Sequence, residues 1–233
     1  GSKHGHQLAV GQRGARGVPS GGAERAVLAA ACCGALLVAG LGTAAAGPAP
    51  AASGSRVPVI ATGWDSPNPR QFREGLATFE GWGVFDGTTL RATRRAADGS
   101  EQAAIFAFSR EPWAWGEFAA ALADLKGARP TTCRENYLMV YSNPGDVDWF
   151  DDAGWKIITD HWRLLTRLAR QGGLRGLLFD AEPYTPPHSQ FLYRAQPERD
   201  RHTFAEYRAK ARQRGREVMR AVRAEFPDAT IFT

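Results

Sequence analysis

The chain has little lysine, little cysteine and, before residue 64, no aromatic residue at all. Only four of its 29 basic residues are Lys, a bias toward Arg that accompanies abundant Ala and Gly and points to coding preference rather than function. Cysteine is limited to three residues. Cys32 and Cys33 sit side by side in an apolar run, and Cys133 stands alone, so a disulfide framework is excluded and Cys133 is expected to be a structural thiol. No Phe, Trp or Tyr precedes Trp64, whereas seven Trp, five Tyr and twelve Phe lie from that point on. A core without aromatics is unusual, so residues 1–54 are not expected to belong to the fold. No Cys/His cluster supports a zinc site. No Gly-rich phosphate loop follows the first apolar run, because Thr62-Gly63-Trp64-Asp65 holds one Gly where a dinucleotide fingerprint needs three. The formal net charge is only +5, and much of it comes from Lys3, Arg13, Arg16 and Arg25 against Glu24. The remainder is close to balanced, so neither a clustered basic patch nor a nucleic-acid partner is expected there.

The first 54 residues have three parts. A Gly/Arg/His leader precedes the uncharged run Ala26–Ala46, and a Pro/Ala/Gly/Ser stretch follows it. Positive charge, apolar run and small residues in that order predict a secretory signal peptide and linker, with small-x-small cleavage sites at Ala44-Ala45-Ala46 and Ala49-Pro50-Ala51. The competing reading is an uncleaved membrane anchor, since the run is about 20 residues long, enough to cross a bilayer. Export to the cell envelope or beyond is expected in either case.

From residue 55 short apolar runs alternate with amphipathic stretches. Strands are predicted at 57–62, 84–93, 137–141, 176–179 and from 229 on, with a hairpin excursion around 97–100 leading to an apolar run at 103–108. Helices are predicted at 66–80, 113–125 (ending at Gly127), 152–170 and 203–226. The third helix repeats Trp155, Ile158, Trp162, Leu165 and Leu168 at threes and fours, which assigns both tryptophans to the core. The fourth opens on a capping box, Thr203 with Glu206. Strands joined by helices predict a (β/α)8 TIM barrel of which residues 55–233 are roughly the first half, about five strands. The alternative is an open doubly wound sheet.

In such a barrel the active site lies at the carboxyl ends of the strands. The fourth strand end is Asp180-Ala181-Glu182-Pro183-Tyr184. Side chains alternate along a strand, so Asp180 and Glu182 share a face about 7 Å apart, above Leu178, while Leu177 and Phe179 face the helices. Like charge and partial desolvation are expected to hold one of the two carboxyls protonated beside an ionised neighbour. The competing structural reading makes Asp180 a cap of the following turn and Glu182 a rim residue. Aromatic rings near strand ends stack on sugar faces, and Trp64, Trp149 and Tyr184 are the candidates, ahead of Trp113 and Trp115. Asp65 and Asn143 are candidates to hydrogen-bond hydroxyls, and His188 is the one histidine near the acids. Asp146, Asp148, Asp151 and Asp152 lack the Gly and distal Glu of a calcium loop, and helix capping by Asp151 or Asp152 explains part of the cluster.

The segment GLLFDAEPY resembles the fourth-strand end of TIM-barrel glycoside hydrolases. Glu182-Pro183 matches the Glu-Pro of their Asn-Glu-Pro motif, with Ala181 where that motif has Asn. The Asp-x-Glu spacing also matches the tail of the chitinase-type signature, whose earlier acids fall here on Leu178 and Arg175. The resemblance implies Glu182 as general acid/base, Asp180 as its orienting partner, and a second carboxylate on a later strand beyond Thr233. It implies an exported glycoside hydrolase acting on an oligo- or polysaccharide without a cofactor, and residues 1–233 by themselves are expected to be inactive. Two other classes remain: a metal-dependent barrel enzyme with Asp180 and Glu182 as oxygen ligands, and a non-catalytic carbohydrate-binding barrel.

Overall fold

The computed structural model describes residues 56–182 and 190–233. The expected signal segment and linker, together with Tyr184 and His188, lie outside the described residues. The chain begins with β1 (Ile60–Ala61) and α1 (Pro69–Gly81), followed by β2 (Gly87–Leu90), β3 (Thr93–Arg95), β4 (Glu101–Ala103) and β5 (Phe106–Phe108). A 3-10 turn, Trp115–Phe118, leads into α2 (Ala119–Ala128). Then come β6 (Tyr137–Pro144), α3 (Asp152–Gln171), β7 (Gly176–Asp180), α4 (Phe204–Glu225) and β8 (Thr230–Phe232). None of these helices is long and apolar enough to cross a membrane.

The main sheet is wholly parallel. β1 pairs with β2, β2 with β6, β6 with β7 and β7 with β8. β5 also lies along β6, beyond the point where β2 stops: Thr89 and Leu90 oppose Tyr137 and Leu138, whereas Phe106 opposes Tyr141. The second sheet position is thus one line of backbone interrupted by an antiparallel hairpin, β3 with β4, in which Arg94 opposes Gln102. The sequence pattern announced the excursion but placed its base wrongly, extending the second strand to 93 in place of 90. The cause lies in Arg94, a charged residue that is only 4% exposed. It ion-pairs with Glu111 at 2.7 Å and Glu117 at 3.0 Å and so folds the hairpin against the turn before α2.

Five sheet positions in strict sequence order exclude the doubly wound alternative, which needs a point of reversal. The sheet is also curled. Residues following β1 (Thr62 to Trp64) and β8 (Thr233) line one recess with Asp180, although a flat sheet would hold β1 and β8 about 19 Å apart, four strand spacings. All four helices lie against the convex face. Phe72 and Leu76 of α1, Leu125 of α2, Leu165 of α3 and Val222 of α4 join Leu90, Leu138, Val140 and Leu177 in one core. Ile105, Met139, Tyr141 and Leu178 form a smaller cluster on the concave face. Burial on both faces explains why the first five residues of β6, Tyr137 to Tyr141, read as an uninterrupted apolar run.

Local chemistry sets the helix ends. α1 starts at Pro69, three residues later than expected, because Asn68 and Gln71 form a reciprocal capping box just before it. α2 runs through Gly127 to Ala128 and ends on Arg129 in the left-handed region. α3 is capped by Asp151, whose carboxylate accepts the Gly154 N–H at 2.9 Å. α4 has the expected Thr203–Glu206 box. Trp155 and Trp162 are buried as expected, at 2% and 4% exposure. Cys133 is buried, its Sγ donates to the Phe85 carbonyl at 3.2 Å, and burial pushes the thiol up. His161, which no sequence pattern marked, is buried in α3 with its ring nitrogens 2.8 Å from the Ala107 and Glu111 carbonyls.

At the amino-terminal rim, Glu80 at the end of α1 accepts from the N–H groups of Thr131, Thr132 and Cys133 and from the Thr131 hydroxyl. These bonds hold its carboxyl at about 2, against an ordinary 4.5. A carboxylate whose folded value is depressed stabilises the fold above the unfolded value, and that contribution disappears as pH falls from about 4.5 to about 2. Because Glu80 is half-buried, Glu80→Gln is expected to cost about 1–2 kcal/mol at neutral pH rather than the full shift. Urea midpoints of the two proteins should converge near the acid end of that window, and a difference independent of pH would refute the assignment.

Candidate active site

β7 delivers Asp180 to the face that the alternation predicts. Leu177 belongs to the helix-side core with Phe179 packed against it, while Leu178 lies with the concave cluster. Asp180 follows Leu178 on the concave face, directly across from Tyr141 of β6. It lines a recess of about 290 Å³ together with Thr62, Gly63, Trp64, Met139 and Thr233. Trp64, just after the carboxyl end of β1, is 71% exposed. Two residues 116 positions apart in sequence, Trp64 and Asp180, are therefore brought to one opening by the curl of the sheet.

The Asp180 carboxylate accepts the N–H of Glu182 at 2.9 Å. Asp180 therefore caps the turn, as the structural reading had it, and by doing so fixes the backbone that carries Glu182. The Ser142 hydroxyl donates to the Ala181 carbonyl at 3.1 Å and ties the same segment to β6. Glu182 itself is exposed, two residues past Asp180, the last paired residue of the strand.

Two further side chains meet here that the sequence did not single out. Burial raises the Tyr141 phenol above its ordinary value, and the facing Asp180 carboxylate adds to the shift. The hydroxyl therefore stays protonated beside the acid. Arg91, the residue after β2, donates to the Trp64 carbonyl at 3.3 Å and places a cation on the same rim. Only register could have found Tyr141, because the alternation that selects it runs across two strands rather than along one.

Other expected site residues fall elsewhere. Trp149 is 8% exposed, stacked on Trp155 at 4.6 Å, and its indole N–H donates to the Gln190 carbonyl at 2.7 Å. A ring so enclosed is not a sugar platform, and that expectation is corrected: position near a strand end did not reveal that the loop folds back onto α3. Trp113 stacks on His161 at 3.8 Å and Trp115 lies under Arg167, so both serve packing. Asn143 is 3% exposed. Asp65 is exposed, but it lines a separate trough between β1 and α1, which shares Thr62 to Trp64 with the recess. Asp148 is buried and accepts from the Tyr207 hydroxyl at 2.7 Å, and Asp152 pairs with Lys210 and Arg214, so the Asp-rich stretch is structural.

Among the described residues no group of three or more His, Cys, Asp and Glu side chains is placed to hold a metal ion. The charge is less evenly spread than the counts implied, because α4 carries a row of exposed arginines along one side. Comparison of the chain with protein-family models, with characterised proteins and with solved structures finds no match in any of the three.

Proposed function

We propose that the curled sheet belongs to a closed (β/α)8 barrel and that the protein is an exported glycoside hydrolase acting on an oligo- or polysaccharide. The observation that carries this reading is the shared opening of Asp180 and Trp64 at the carboxyl ends of parallel strands, with Glu182 fixed beside it. A stacking ring next to a carboxyl pair suits a sugar: the ring takes an apolar sugar face, one carboxyl handles the proton at the bond to be broken and the other holds it in place.

In this scheme Glu182 donates its proton to the glycosidic oxygen as the C–O bond breaks, and the leaving sugar departs as an alcohol. The positive charge left on the ring is met by a second carboxylate or by an activated water, from a later strand in the resemblance. Asp180 is a positioning residue, since its bond to the Glu182 N–H sets where that acid stands. Tyr141 and Arg91 complete the rim. The test is turnover of activated aryl glycosides by the full-length protein and its Glu182→Gln variant. Loss of turnover supports the reading, and unchanged turnover overturns it. Glycan binding with no turnover by either protein would favour the non-catalytic binding barrel instead.

A further inference from the structure

Helix α4 carries Arg208, Arg212, Arg216 and Arg220 at successive four-residue steps, with Arg223 one turn on. All five are exposed. At 100° per residue they fall within an arc of about 120°, and at 1.5 Å per residue they extend over about 22 Å of helix. No acidic residue shares that arc: by the same rotation Glu206, Glu217 and Glu225 lie outside it. Among the described residues none of the five guanidinium groups forms an ion pair or hydrogen bond, whereas Lys210 and Arg214, on the other side of the helix, pair with Asp152. Like charges four residues apart on a helix repel and destabilise it, so the row is a cost to folding that packing does not repay. Arg216, Arg220 and Arg223 rim a shallow depression with Met219 and Ala224.

We infer that this row docks an acidic polysaccharide, a chain bearing carboxylates or sulfates along its length. Guanidinium groups pair with such anions in a planar, two-point fashion. Phe204, one four-residue step before Arg208 and 60% exposed, stands at the end of the row and meets Tyr193 edge-on at 5.5 Å, and a single ring offers no succession of faces on which bases could stack. Among the described residues Met219 and Phe204 are the large apolar side chains exposed along this side of α4, too few for a helix that inserts into a bilayer. What remains is a linear electrostatic track, and carbohydrate is the polymer class that the proposed active site selects. The inference rests on that reading for the identity of the polymer and deepens it: the substrate is anionic, and it is held on the outer helix as well as at the recess.

The experiment uses the full-length protein and a triple variant, Arg212→Gln, Arg216→Gln and Arg220→Gln, which keeps good helix formers and removes repulsion. Binding to sodium polygalacturonate, neutral dextran, duplex DNA and phosphatidylglycerol vesicles is measured between about 50 and 200 mM salt. Polygalacturonate should bind in a strongly salt-dependent manner and dextran should not, and the triple variant should weaken polygalacturonate binding at least about tenfold. Its thermal midpoint should be equal to or above that of the parent, and its turnover of small neutral aryl glycosides unchanged. Polygalacturonate binding indifferent to the triple change overturns the inference. So does tighter, Arg-dependent binding of DNA or of vesicles, each of which would reassign the row. Absence of aryl-glycoside turnover in the parent would instead strike the catalytic reading, whatever the polymer result.

Discussion

Glu182→Gln in the full-length protein is expected to lower kcat on aryl glycosides by roughly 10²–10⁴-fold, the usual worth of a positioned general acid/base. The effect should be sharply confined. Glu182 is exposed and its backbone N–H, not its side chain, makes the bond to Asp180, so the unfolding midpoint should stay within about 0.5 kcal/mol of the parent. KM should move little, because the amide keeps the shape and loses only the proton to give. Asp180→Asn separates positioning from charge. Its amide oxygen can still accept the Glu182 N–H, so the turn survives while the carboxylate beside Tyr141 is gone. A fall in kcat without a change in midpoint would assign Asp180 to the chemistry. Preserved kcat together with an unchanged midpoint would make it the turn cap alone, since Asn keeps that bond. Chelator treatment supplies the third comparison: loss of turnover on chelation would replace the acid/base scheme with one in which Asp180 and Glu182 hold a metal.

The elements that were legible in the sequence are those whose pattern is local. α3 declared itself through five apolar residues on one stripe, and α4 through the Thr203–Glu206 box, because both signals lie within one or two turns of helix. The face of Asp180 was legible for the same reason: period-two alternation from Leu177 decides it. What failed was long-range. β2 and β5 share one sheet position only because β6 is long enough to pair with both, and nothing in residues 84–108 states the length of β6. Trp149 read as a rim residue because its enclosure depends on Trp155 and on Gln190, 41 positions away. The basic row on α4 was hidden by counting. Arg is spread through the whole chain, and net charge cannot distinguish arginines that pair with acids, as Arg214 does, from five on one face that do not. Tyr141 and Arg91 needed the register of three strands before they could be placed beside Asp180.

Two tryptophans provide the largest contrast in stability. Trp155→Ala is expected to destabilise the fold by about 3–5 kcal/mol, the range for emptying a buried aromatic site. The indole is 2% exposed, stacks on Trp149 at 4.6 Å and meets Phe108 edge-on at 5.8 Å. Its N–H donates to the Asp148 carbonyl at 3.1 Å, and the Arg214 guanidinium lies 5.7 Å from its ring. One side chain thus joins α3 to β5, to the loop after β6 and to α4, and neighbours from three other segments cannot collapse together into the space it leaves. Trp155→Phe should recover much of the loss while forfeiting the bond to Asp148. Trp64→Ala removes an equally large side chain that is 71% exposed. Its midpoint should therefore change by less than about 0.5 kcal/mol, while KM for a glycan rises and kcat holds. Urea denaturation of the three variants beside the parent decides the matter. A Trp155→Ala loss below about 1 kcal/mol would mean that the ring is not the joint between these segments. A large loss for Trp64→Ala would mean that its ring supports the fold, and the recess beside Asp180 would then have no exposed aromatic platform to offer a sugar.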